Sequence, residues 1–181
     1  MRPDTYELHV AGLTRHLPLC PISEDLSIGA FIMFSDVELT VACAEALLKK
    51  CSDWDILLTA ESKGIPLAYE MARQSGKNYI LARKSIKLYM RDPVQVDVKS
   101  ITTEKRQVLC LDRDSMDALK GKRVLLVDDV ISTGDSLHAL EELVKAAGGT
   151  IAGKAAVLAE GDAANRDDIV FLAPLPLFPR K

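Results

Sequence analysis

Apolar residues in this chain fall alternately into short continuous runs and helically spaced stripes. The runs Trp54–Ala60, Tyr79–Ala82, Val124–Val127 and Ile151–Ala159 are rich in aliphatic residues, a pattern suited to strands covered on both faces. Arg106–Asp112 and Asp168–Leu172 read as two further strands. Between the runs lie stripes at helical spacing. Asp36–Lys50 is one helix, with Val37, Val41, Ala44, Leu47 and Leu48 as its apolar face and Ser35 or Asp36 as its cap. Leu67, Ala68, Met71 and Ala72 carry a second helix that Gly76 ends. Leu137, Leu140, Leu143, Val144 and Ala147 carry a third, which starts after Ser132–Ser136 and stops at Gly148-Gly149. Ser115–Leu119 is a short helical turn or loop. Such alternation predicts an α/β fold: an open, mostly parallel twisted sheet with helices on both faces.

Three stretches break the pattern. Residues 1–35 contain one alternating strand, Tyr6–Val10, and a segment Leu17–Ile22 whose prolines allow at most an edge strand. Leu88–Lys105 is polar and lacks helical spacing, although Val94, Val96 and Val98 alternate like one arm of a strand pair. Ala173–Pro179 is a proline-broken tail. The 181 residues are expected to form a single domain, 1–181, with residues 36–181 as the core.

Bulk properties narrow the partners. A formal net charge of -3 lends no support to a nucleic-acid surface, so no DNA partner is expected. No apolar run approaches the length of a membrane span, and Met1–Asp4 is unlike a signal peptide. The expectation is a cytoplasmic protein with no membrane association. Cys20, Cys43, Cys51 and Cys110 lack metal-ligand spacing and read as reduced thiols. Cys43 and Cys51 are too far apart on one helical segment to bridge.

The chemistry concentrates where strands turn into helices. In Val124–Ser136 a buried strand leads to Asp128-Asp129, then to Ser132-Thr133-Gly134-Asp135-Ser136, then to a helix. Free backbone N–H groups at a helix N-terminus attract anions, and paired carboxylates hold hydroxyls or Mg²⁺. The stretch therefore suits a sugar phosphate. Glu61-Ser62-Lys63-Gly64 forms a similar turn one strand and helix upstream, where small residues let backbone approach a ligand. Arg83-Lys84-Ser85-Ile86-Lys87 adds positive charge just past a strand end, where open α/β sheets bind ligands.

Val124–Ser136 resembles the phosphoribosyl-diphosphate (PRPP) motif of the type I phosphoribosyltransferases: apolar strand, Asp-Asp, Thr-Gly and a hydroxyl residue in strand–turn–helix context. Glu61–Gly64 resembles the pyrophosphate loop of the adenine-using branch. The resemblance implies transfer of a 5-phosphoribosyl group from PRPP to a purine base, with pyrophosphate leaving, as in purine salvage. It implies the fold predicted above plus a small "hood" from residues 1–35 holding the base, a mobile loop near 88–105, and a homodimer. Asp128, Asp129 and Lys63 are then the catalytic candidates, with Mg²⁺ as cofactor on Asp128 and Asp129. Ser132, Thr133, Gly134, Asp135 and Ser136 would hold the 5′-phosphate. Glu61, Ser62, Lys63, Gly64, Arg83, Lys84 and Lys87 would hold pyrophosphate, and Ile131 and Glu160 the base. Asp135, of the wrong charge for a phosphate turn, is expected to point outward.

Adenine is the favoured base, because the Glu160 carboxylate accepts from an amino group and repels ring oxygens. Gly149–Gly153 and Arg83-Lys84 are also similar to xanthine-using members, which keeps xanthine, hypoxanthine and guanine as alternatives. The mobile loop has Thr102, after Ser100-Ile101, where adenine enzymes carry an acid; Glu104 is the nearby substitute. A PRPP- or nucleotide-sensing regulator on the same fold is the non-enzyme alternative. A serine hydrolase built on Ser62, Asp128 or Asp129, and His138 is the remote one.

Overall fold

The computed structural model describes residues 5–98 and 107–180. Its strands are β1 (Thr5–Val10), β2 (Leu13–Pro21), β3 (Leu26–Gly29), β4 (Ile56–Ala60), β5 (Tyr79–Ala82), β6 (Val94–Val98), β7 (Gln107–Leu111), β8 (Arg123–Ile131), β9 (Thr150–Glu160), β10 (Val170–Leu175) and β11 (Phe178–Pro179). Its α-helices are α1 (Val37–Leu48), α2 (Ile65–Ser75), α3 (Arg113–Leu119) and α4 (Asp135–Ala147), with a 3₁₀ turn at Gly161–Asn165.

Five strands form the central sheet in the order β10-β9-β8-β4-β5, every neighbouring pair parallel. One face packs Leu39, Cys43 and Leu47 of α1 and Leu67 and Met71 of α2, together with Leu8, Val10 and Leu17 of the first hairpin. The other face packs Met116 and Leu119 of α3 and Leu137, Leu140 and Leu143 of α4. The chain leaves β4 toward β5 on one side and returns to β8 on the other, so the strand order reverses between β4 and β8. Ligands of open α/β sheets bind at the carboxyl ends of strands at such a switch point. The β4–β8 ladder runs only from Ile56/Val124 to Leu58/Leu126, and the two strand ends beyond it are unpaired with each other.

Residues 5–35 hold more strand than their sequence predicts. β1, β2, β3 and the C-terminal β11 make an antiparallel sheet in that order, so β2 is an interior strand and not an edge. Its prolines are tolerated because its two halves pair with different partners. The β1 ladder ends at Thr5↔Pro18, the β3 ladder starts at Leu19↔Gly29, and Pro21 sits at the far end of that second ladder. A missing N–H at a ladder end costs little. β6 and β7 form an antiparallel pair, as the alternation of Val94, Val96 and Val98 predicts.

Helix α1 is rotated from the predicted face. Leu39, Thr40, Cys43, Ala44 and Leu47 are buried, whereas Val37 is 73% exposed and Val41 37%. The helix carries two apolar stripes, and the one containing compact Cys43 and Ala44 packs closer. The outward stripe joins Phe34, Ile65, Tyr69 and Tyr79 along an apolar groove of about 410 Å³. All four cysteines are free, and burial pushes the Cys43 thiol up to about 12.

Asp36 ties the N-terminal sheet to α1. Its carboxylate accepts the Leu39 N–H at 3.1 Å as helix cap, and Arg15 Nε of β2 donates to it at 2.7 Å. The Arg15 hydrogen bond holds the Asp36 carboxyl below its ordinary value of 3.8. Its stabilising effect is thus complete above that value and lost as the pH falls through the lowered one. Asp36→Ala should cost about 1–2 kcal/mol through the lost cap and tether, read as a lower urea midpoint at pH 7 that converges on the wild type in acid.

Candidate active site

Two strand-to-helix turns face each other across the switch point. β4 ends at Ala60, Glu61–Gly64 turns, and α2 starts at Ile65 with Pro66 in its first turn. A proline there sacrifices no hydrogen bond, since the first N–H groups of a helix lack carbonyl partners. β8 ends at Ile131, Ser132–Gly134 turns, and α4 starts at Asp135. Asp128 and Asp129 therefore lie within the strand rather than after it.

Gly64 is where the first turn meets β8. A β-carbon at this position would stand 2.6 Å from Thr59 Oγ1 and 3.0 Å from Asp128 Oδ1. Only a bare backbone fits against the end of β8. Thr59 is fully buried, and its hydroxyl has no hydrogen-bond partner among the described residues.

The carboxylates behave differently. Asp129 N–H donates to Asp128 Oδ1 at 2.8 Å. Burial, reinforced by the Asp129 charge, pushes the Asp128 carboxyl well above the usual carboxylate range. Asp129 is 3% exposed, and its Oδ2 accepts no hydrogen bond; Lys63 Nζ lies 3.3 Å from that oxygen.

Past β8 the second turn wraps a small cleft of about 60 Å³ lined by Asp128 and residues 130–137. Gly134 has φ +86°, the left-handed region that favours glycine, and Arg166 Nη1 would lie 2.7 Å from a β-carbon there. Asp135, expected to point outward, is half-buried on the lining of this cleft, and the Thr133 hydroxyl donates to its carboxylate at 2.8 Å. The Thr133 hydroxyl proton is therefore spent on its neighbour and its oxygen lies 3.5 Å from the Asp135 N–H, which leaves the other backbone N–H groups of the turn and the Ser132 and Ser136 hydroxyls for an anion.

The basic cluster meets the first turn through Glu61. Lys84 N–H donates to Glu61 Oε2 at 2.9 Å and Arg83 Nε at 3.2 Å. The Lys84 N–H and the Arg83 charge together hold the Glu61 carboxyl below its ordinary range. Glu61 thus anchors the cluster rather than offering its charge outward. Lys87 Nζ donates to Ser85 at 2.7 Å, and Arg83 Nη1 to the Tyr89 hydroxyl at 3.1 Å. Lys63 points away from this group, toward Asp129.

A third cleft, about 300 Å³, opens between the N-terminal sheet and the core. Ile28–Ile32 line it, together with Lys63, Val130, Ser132, Glu160 and Leu175 of the core. Burial pushes the Glu160 carboxyl up, opposed by the Lys63 charge. Ile131, expected in this cleft, is instead 3% exposed in the core, while its strand neighbour Val130 lines the cleft. Successive strand residues point to opposite faces, and the sequence did not show which of the two would face the cleft. Ile28–Ile32 fall within the 1–35 segment expected to form the hood, although these residues were not singled out; the alternating Leu26-Ser27-Ile28-Gly29 was their available signal. Arg166 carried no local signal at all.

His138 stands on the exposed side of α4, Nδ1 3.7 Å from Glu141. With Asp129 paired to Lys63, the structure does not assemble the Ser62 hydrolase triad. Thr102 and Glu104 lie outside the described residues. No helix among the described residues is long and apolar enough to cross a membrane.

Comparison with known proteins agrees with this geometry. Residues 37–173 match the phosphoribosyl transferase domain. A xanthine phosphoribosyltransferase of an Exiguobacterium species is 30% identical over 149 residues, 80% of this chain and 76% of the relative. An adenine phosphoribosyltransferase of Mycobacterium avium is 29% identical over 169 residues, 93% of this chain and 89% of the relative. The crystal structure of adenine phosphoribosyltransferase from Thermoanaerobacter pseudethanolicus superposes with a TM-score of 0.73 at 20% identity, covering 87% of this chain and 95% of that one, a likeness of fold. The chain belongs to the phosphoribosyltransferase family of glycosyltransferases, in its type I, purine-using branch.

Gly64→Ala should destabilise the protein by about 1–3 kcal/mol, because the β-carbon overpacks Thr59 and Asp128. Chemical denaturation checks this; an unchanged midpoint would mean that the first turn is not packed against the end of β8.

Proposed function

We propose that the protein transfers the 5-phosphoribosyl group of PRPP to a purine base, adenine being favoured, and releases pyrophosphate. One observation carries the reading: the Asp128–Asp129 pair lies between two strand-to-helix turns, with the cleft under the N-terminal sheet opening beside it. A doubly phosphorylated sugar needs a site at each end and hydroxyl acceptors between them. In this reading, the backbone of residues 132–136 holds the 5′-phosphate and the two aspartates hold the ribose hydroxyls. Ser62, Gly64, Arg83, Lys84 and Lys87 face the leaving pyrophosphate, with Glu61 as their anchor. A purine nitrogen attacks C1′ as the C1′–O bond to pyrophosphate breaks, and the ribose passes through an oxocarbenium-like state, as in glycosyl transfer generally. Fixed positive charge on the leaving group lowers that barrier most.

The residues fit Mg²⁺. Asp129 Oδ2 is a buried hard oxygen that accepts no hydrogen bond. Among the described residues no three His, Cys, Asp or Glu side chains gather into a complete metal site. Asp128 and Asp129 would therefore supply one or two oxygens, and PRPP and water the rest, as this ion prefers. When bound, Mg²⁺ neutralises charge on the departing pyrophosphate.

Glu160 supports adenine, as acceptor for its amino group. Lys63 beside Glu160 supports a second reading, since an ammonium donates to the carbonyl of guanine, hypoxanthine or xanthine. We also infer a homodimer: the outward stripe of α1 and its apolar groove offer a second copy a surface to cover. Sedimentation should give a dimeric mass that Val37→Glu/Val41→Glu reduces to the monomer.

Incubation with PRPP, Mg²⁺ and each purine in turn, following pyrophosphate release, tests the reaction and selects the base. Turnover with no base alongside tight PRPP binding would point to the regulator. Asp128→Asn/Asp129→Asn should fold but bind PRPP at least ten-fold more weakly by calorimetry; normal binding would refute the assignment of the site.

A further inference from the structure

Lys63 issues from the turn on the pyrophosphate side, yet its ammonium lies 3.3 Å from Asp129 Oδ2. That oxygen is buried and accepts no hydrogen bond, so the lysine is its one close positive partner among the described residues. A buried carboxylate without compensation is costly, and Lys63 meets that requirement in the protein by itself. The lysine is not locked in place. Its side chain is 52% exposed, whereas the backbone beneath it is pinned at Gly64 against Thr59 and Asp128. The ammonium can therefore swing without moving the turn. Glu160, across the cleft that Lys63 also lines, offers it a second anion.

We propose that Lys63 is the resident counter-ion of Asp129: it keeps free divalent cations off this carboxylate and yields its place when a divalent cation arrives together with PRPP. The inference rests on the PRPP reading of the site. It assigns Lys63 a positioning role different from direct pyrophosphate binding. An ammonium and a divalent cation compete for the same oxygen, and at this separation their mutual repulsion forbids joint occupancy without a shift of the lysine. PRPP tips the competition because its phosphate and hydroxyl oxygens add ligands that the two aspartates alone lack. Metal and sugar then enter as a unit, and the displaced ammonium moves into the base cleft toward Glu160.

Mn²⁺ binding to the full-length protein, followed by electron paramagnetic resonance without any base, tests this directly. Lys63→Met should bind Mn²⁺ alone at least ten-fold more tightly than the wild type. Lys63→Arg, which keeps the charge, should resemble the wild type. Adding Asp129→Asn to Lys63→Met should abolish the gain, and adding PRPP to the wild type should raise its Mn²⁺ affinity. Equal Mn²⁺ binding by wild type and Lys63→Met, or a gain that survives Asp129→Asn, overturns the proposal. The PRPP reading fails separately: PRPP would then raise Mn²⁺ binding in neither protein, while the Lys63→Met gain would stand.

Discussion

The site depends on a side chain that is absent. At Gly64 the first turn lies against the end of β8 so closely that a single β-carbon would collide with Thr59 and Asp128. The β4–β8 ladder stops at Leu58/Leu126, which leaves the strand ends free to receive that turn. Everything that follows in the site is placed from this contact. It sets how far Lys63 reaches, brings Glu61 to the end of β5 where Arg83 and Lys84 wait, and holds Asp128 in the buried setting that raises its proton affinity.

Charge in the site is organised by exchange between elements. Glu61 belongs to the first turn by sequence but is used by the basic cluster after β5. Lys63, two residues on, is used by β8. Asp135 lines the cleft of the second turn, where its carboxylate accepts the Thr133 hydroxyl. Glu61 and Lys63 are thus each paired with a charge on another element. Preorganisation of this kind suits a reaction whose leaving group carries most of the charge.

The N-terminal sheet shows the same economy in its backbone. β2 accommodates Pro18 and Pro21 because its two ladders exchange partners along its length. The C-terminal β11 closes the sheet at β3, whose Ile28 and Gly29 line the cleft beside Glu160. Asp36 then fastens that sheet to α1 through one carboxylate that serves as cap and as ion-pair partner.

The α/β class, the order of the core strands and helices, and the two turns were legible in the sequence. Strand and helix periods, glycine stops and strand-to-helix turns are local properties of a few consecutive residues. The motif from Val124 to Ser136 named its own chemistry, because an anion turn and paired carboxylates require particular residues at fixed spacing. Pairings between distant residues were not legible. Whether Val130 or Ile131 faces the cleft, which stripe of α1 is buried, and whether Lys63 turns to Arg83 or to Asp129 depend on sheet register and packing across many residues. A single residue of register reverses which side chain points inward. The sequence determined which charges and turns this protein possesses; only the tertiary structure decided which of them meet, because meeting is a property of the distances between strands and not of the residues along one.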